Sequence, residues 1–207
     1  MIGTIRPVVY RDRHLFRWAI AAILHVLGNV VAAITMGFIF GLIGYWLMPY
    51  NKGRWALLFG GLGILSMVYA LDEIGLLRLP YPQRAEQVPV SWRSLFHPYT
   101  TAILYGLGLG AGVTTHIVTA ALYVVILGLF LYAHPLYAAV TFGLFGLGRG
   151  VSVLVAGWSM RNLRSGEKLN LNVHRLMNQQ DRIHMLTGLV LASLGGYWGV
   201  CLLLTLF

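Results

Sequence analysis

Residues 106–123 read GLGLGAGVTTHIVTAALY. The stretch lies within a long apolar run, yet Gly106, Gly108, Gly110 and Gly112 fall at alternate positions. Glycine costs a helix interior about 1 kcal/mol relative to alanine, so this pattern needs a reason. A membrane supplies two. Glycines four apart, Gly106 with Gly110 or Gly108 with Gly112, admit a second helix at close range. Alternatively the helix breaks here, and freed backbone groups line a site at membrane depth together with Thr114, Thr115 and His116. The sequence leaves both open.

Outward from this stretch the composition settles the class. Of 207 residues, 58% are hydrophobic and only 10% are charged. A soluble domain carries about 25% charged residues, so this chain lacks the material for a water-facing surface and reads as an integral membrane protein. The formal net charge of +9 is dispersed between apolar runs. That distribution suits anionic lipid at the cytoplasmic face and argues against nucleic-acid binding, which gathers basic residues on one domain. The single cysteine, Cys201, excludes an intramolecular disulfide and a dithiol cycle. Arg6, Arg11, Arg13 and Arg17 lead into the first apolar run with no clear cleavage site, so that run reads as a retained span rather than a secretory signal.

In chain order, residues 1–14 form a basic cytoplasmic arm. Leu15 to Met48 is apolar for longer than the roughly 20 residues that cross a bilayer, so it is one tilted or kinked span. Gly37, Gly41 and Gly44 offer it a helix-contact stripe, and Pro49 ends it. A second span covers about Trp55 to Leu77. Pro80, Pro82, Pro89 and Pro98 make residues 78–99 a surface loop. A third span runs from Thr100 to Tyr132 through the glycine ladder. A fourth covers Leu136 to Trp158. Residues 159–183 form a polar loop in which Asn170, Asn172 and Asn178 favour turns, with His174 to Asp181 as a short surface helix. A last span occupies His184 to Phe207.

These readings predict an all-α, polytopic transmembrane bundle of about five spans in a single domain, with glycine-rich broken or kinked helices. Charge orients it. Arg6, Arg11, Arg13 and Arg17, then Arg78, Arg84 and Arg93, then Arg161, Arg164, Lys168, Arg175 and Arg182 fall on one side. Only Lys52 and Arg54 fall on the other, so the N-terminus and the 78–99 and 159–183 loops are cytoplasmic. Six spans would need either 15–48 or 100–132 to divide.

Several residues stand out as carriers of chemistry. Arg149 lies mid-span, where an arginine costs at least about 2.5 kcal/mol. It therefore faces the bundle interior, meeting freed carbonyls, an anion, or one of the two acids near membrane depth, Asp72 and Glu73. His25 and His116 sit in apolar spans beside small or polar residues, and histidine is the residue type that binds haem, pigment or metal. Their spacing demands no such ligand, and no catalytic motif is present. Candidate site residues are Gly108, Gly110, Gly112, Thr114, Thr115, His116 and Arg149, with Asp72 and Glu73 as ion-pair partners and His25 and His116 as cofactor ligands.

The runs GFIFGLIGYWLM, LLFGGLGILSMVYALDEIGLLRLPYPQRAEQVP, ILYGLGLGAGVTTHIVTAALYVV and FGLFGLGRGVSVLV together resemble the transmembrane family of cytochrome c biogenesis and thiol–disulfide interchange proteins. The resemblance covers most of residues 30–158. It implies inverted three-helix halves and a thiolate relay, but the family's second reactive cysteine falls at or near His116, and the first has no counterpart. What it implies is that scaffold without its dithiol pair, working as a membrane carrier or assembly partner in the bacterial inner membrane beside other membrane proteins. Two alternatives remain. One is a structural subunit of a respiratory or photosynthetic complex, binding a cofactor through histidine. The other is a redox protein in which Cys201 meets a partner's thiol.

Overall fold

The structure is a computed structural model, and it describes residues 15–48, 52–79, 92–112, 120–159 and 166–206. Among the described residues every regular element is helical: α1 (Leu15–Leu47), α2 (Lys52–Glu73), α3 (Trp92–Leu95), α4 (Pro98–Gly110), α5 (Ala121–Tyr132), α6 (Pro135–Ser159) and α7 (Gly166–Leu206). Among the described residues three helical stretches are long and apolar enough to cross a membrane: Phe16–Leu47, Gly53–Glu73 and Arg182–Leu206. Phe16, Trp46, Ile64 and Leu204 on those stretches are exposed, which a bilayer tolerates and water does not.

The helix ends follow from local chemistry. Gly75 has φ +86°, a left-handed conformation open to glycine at little cost. Its N–H bonds Asp72 O at 2.9 Å, and Leu76 N–H bonds Leu71 O at 2.9 Å. This pair of bonds is a Schellman motif, and it closes α2. Gly112, at φ +72°, plays the corresponding part after α4, where its N–H bonds Leu109 O at 3.3 Å. Pro98 opens α4 and Pro135 opens α6, the first-turn position where a missing N–H costs nothing.

The chain divides into two compact units, one of residues 1–37, 83–116 and 139–172, the other of residues 38–82, 117–138 and 173–207. In the first, α1 is crossed by α4 and α6 through glycine. A methyl on Gly28 would stand 2.7 Å from Ile103 O, and one on Gly146 would stand 3.0 Å from Asn29 O. In the second, Leu58, Leu62, Ala70, Ala120, Val124, Leu131 and Leu191 form the core. There Phe59 stacks on Trp198 at 5.8 Å and Tyr69 on Tyr123 at 5.6 Å.

Not all glycines serve packing. Gly148 and Gly196 are exposed, and a methyl on either meets nothing within 4 Å. Gly148→Ala and Gly196→Ala are each expected to stabilise the protein by about 1 kcal/mol through helix propensity alone, read as a higher unfolding midpoint in detergent.

Two sequence expectations change here. Residues 100–132 do not form one continuous helix: α4 stops at Gly110 and α5 begins at Ala121. Residues 166–183 are not a polar loop with turns but the first part of α7. No proline or glycine lies between Gly166 and Gly188, so nothing halts that helix, and asparagine costs it only a few tenths of a kcal/mol. The basic arm 1–14 and most of the 78–99 loop lie outside the described residues.

Candidate functional site

The second unit contains a short helix held at both ends by one neighbour. At 1.5 Å per residue, the 12 residues of α5 span about 18 Å, well short of the roughly 30 Å of hydrocarbon. Like any helix, it leaves N–H groups at its start and C=O groups at its end without partners inside the helix. Side chains of α2 meet them. Glu73 Oε1 accepts the Ala120 N–H at 2.7 Å, and Arg54 donates to Tyr132 O. Arg54 and Glu73 are about 28 Å apart along α2, so the two helices run antiparallel and the longer one reaches past both ends of the shorter. The signs also match: an acid meets the positive end of the α5 dipole and a base meets the negative end.

Glu73 is buried, with its side chain 2% exposed, and its second oxygen, Oε2, accepts from His184 Nδ1 on α7. One carboxylate thus joins three helices. Next to it, Asp72 Oδ1 accepts Leu79 N–H at 2.8 Å just beyond the end of α2.

The first unit uses the same device. Arg149 on α6 donates to Leu109 O at 3.3 Å and lies over the Phe145 ring at 5.8 Å. Leu109 belongs to the last turn of α4, so the guanidinium meets the carbonyl end of a helix, where a positive charge is favoured.

One turn away is a different arrangement. His25 and Asn29, four apart on α1, are 2% and 0% exposed. His25 Nδ1 faces Ala102 O at 3.3 Å. Among the described residues His25 Nε2 and both polar atoms of the Asn29 amide have no hydrogen-bond partner. The amide lies between Gly110 of α4 and Gly150 of α6: methyls built there would stand 2.7 Å from Oδ1 and 3.2 Å from Nδ2 respectively. An orphaned buried polar group costs about 1–3 kcal/mol, so three together are a feature to be explained.

Of the residues singled out from sequence, Gly108, Gly110 and Gly112 lie at the end of α4, with Arg149 on its last turn. Glu73 and Asp72 each meet backbone N–H groups, and Glu73 also meets His184. Thr114, Thr115 and His116 lie outside the described residues. Among the described residues no three His, Cys, Asp or Glu side chains gather as a metal site. Sequence reasoning passed over Arg54, His184 and Asn29. Arg54 and Glu73 at opposite ends of one apolar helix were a legible signal. The burial of Asn29 and His184's contact with Glu73 were not, because they depend on which helices meet.

No protein-family model matches the chain, and no solved structure matches it. Similar sequences do exist. The methylamine utilization protein MauF of Methylobacillus flagellatus is 29% identical over 78% of this chain and 57% of its own. That of Methylorubrum extorquens is 34% identical over 73% of this chain and 53% of its own. That of Paracoccus denitrificans is 29% identical over 98% of this chain and 70% of its own. The chain spans little more than half the length of the first two.

These relatives overturn the resemblance drawn from sequence. They are named for methylamine utilization, not for cytochrome c biogenesis or thiol–disulfide interchange. The expectation of a carrier or assembly partner built on that scaffold falls with it. The respiratory or photosynthetic subunit finds no support in these names either. The physical reason is plain: alternating glycines and apolar runs report how closely helices approach, which unrelated bundles share, whereas the reaction resided in cysteines that this chain lacks.

Proposed function

We propose that the chain is a multi-pass membrane protein serving methylamine utilisation, the process its relatives are named for. The observation that carries this reading is similarity to proteins of that name over as much as 98% of the chain. It forms one membrane domain of five spans: α1, α2, the region of α4 and α5, α6 and α7. The excess of Lys and Arg on one side of the spans supports a cytoplasmic N-terminus in the inner membrane. Its working centre is the interrupted stretch at Gly108, Gly110 and Gly112, with Arg149 on the Leu109 carbonyl. Interrupted helices at membrane depth are where membrane proteins form sites.

Deletion of the gene in its own host is expected to abolish growth on methylamine as sole carbon and energy source while leaving growth on succinate intact. Restoring the gene recovers growth, and an Arg149→Ala copy present at the normal membrane level does not. Undiminished growth of the deletion strain on methylamine would overturn the reading.

A further inference from the structure

We infer that residues 74–79, just past α2, form a fixed foot that rests in the headgroup layer of the bilayer and takes anionic phospholipid through Arg78. The inference rests on the membrane reading proposed above. The segment is held along its length. Ile74 N–H bonds Ala70 O at 3.0 Å and Leu77 N–H bonds Leu71 O at 3.2 Å. The two bonds of the Schellman motif and the tie from Leu79 N–H to Asp72 Oδ1 complete the set. With its backbone so fixed, the segment holds Ile74, Leu76 and Leu77 outward, 43%, 71% and 41% exposed.

The place of these side chains selects lipid as what covers them. Leu57, Ile64, Met67 and Ile74 are exposed apolar residues of α2 and its end. At 3.6 residues per turn they fall within about 100° of one another around the helix axis. The segment thus prolongs the side that α2 turns to the hydrocarbon, directly beyond Glu73, the last residue of that span. Apolar side chains at this level enter the boundary between headgroups and acyl chains, where they leave water. Charge selects the class of lipid. Arg78 is exposed and is the only charged residue of 74–79. The acids at the end of α2 are engaged within the chain, Asp72 with Leu79 N–H and the buried Glu73 with Ala120 N–H and His184. A base in the headgroup layer attracts the phosphate of an anionic lipid.

A thiol-linked fluorophore on Leu76→Cys, with Cys201→Ser so that no other thiol is present, tests both points. The protein is placed in vesicles of mixed phosphatidylcholine and phosphatidylglycerol, with one lipid or the other brominated near the top of its acyl chains to quench a label beside it. The label is expected to be quenched, and up to about fivefold more by brominated phosphatidylglycerol, the enrichment that one base gives at an anionic surface. Arg78→Gln removes the preference and leaves the quenching. A label that neither lipid quenches lies in water or against protein. A label that both quench equally while Arg78 is present has no preferred anionic neighbour. Either result overturns the proposal. A label on Ile64→Cys, also exposed but within the span, is read with lipid brominated near the chain ends. Quenching at 64 without quenching at 76 removes the foot alone, whereas no quenching at 64 removes the span on which it rests.

Discussion

Gly110→Ala is expected to cost the protein about 3 kcal/mol, or to leave it unfolded in detergent. The added methyl would overlap the backbone carbonyl of Asn29, with the Asn29 Cα-side carbonyl carbon at 2.7 Å. A Cβ has no rotamer and a backbone carbonyl has no alternative position within a helix. Relief therefore requires α1 and α4 to separate, which undoes the contacts around them. Gly106→Ala meets the carbonyl of His25 one turn earlier and should behave alike, with Asn29 N at 3.0 Å as a second obstacle. Gly148→Ala is the matched control, since it makes the same chemical change in open space. Chemical unfolding of the three variants checks the order: Gly148→Ala above the parent protein, Gly106→Ala and Gly110→Ala far below.

Glu73→Ala is expected to cost about 3 kcal/mol. It strands the Ala120 N–H at the start of α5 and leaves His184 without its carboxylate. Glu73→Gln should cost roughly half as much, because an amide oxygen still accepts the Ala120 N–H while the charge is lost. His184→Ala should cost least, about 1 kcal/mol, since that side chain is 30% exposed and water can replace it. Denaturant titration of the three variants gives the ranking directly. Equal costs for Glu73→Ala and His184→Ala would show that the contact with His184, and not the helix end, is what the carboxylate serves.

How much of this was legible in the sequence differs by kind. The first helix, read as Leu15 to Met48, occupies Leu15–Leu47, because a proline follows and nothing within interrupts. The last apolar stretch, read as His184 to Phe207, corresponds to Arg182–Leu206 among the described residues. The glycine ladder posed a choice between close packing and a broken helix, and the described chain shows both. Gly106 and Gly110 face α1, while Gly112 takes the left-handed conformation that ends α4. These are local properties, written in residue type and spacing. The carboxylate of Glu73 reaching α5, and the burial of His25 and Asn29 between two glycine pairs, are properties of which helices meet. No pattern along one strand of sequence records that. The same gap explains the misleading family resemblance, which rested on glycine spacing without the groups that react.

The brevity of α5 also bears on how the protein is made. A helix of 12 residues is shorter than the roughly 20 that cross a bilayer, and its end groups are met by Arg54 and Glu73 of α2. Synthesis proceeds from the N-terminus, so α2 leaves the ribosome first and is already seated when α5 emerges. The earlier helix thus acts as a receiver for the later one, and a circular permutant that delivers α5 ahead of α2 would present the insertion machinery with a segment too short to stay.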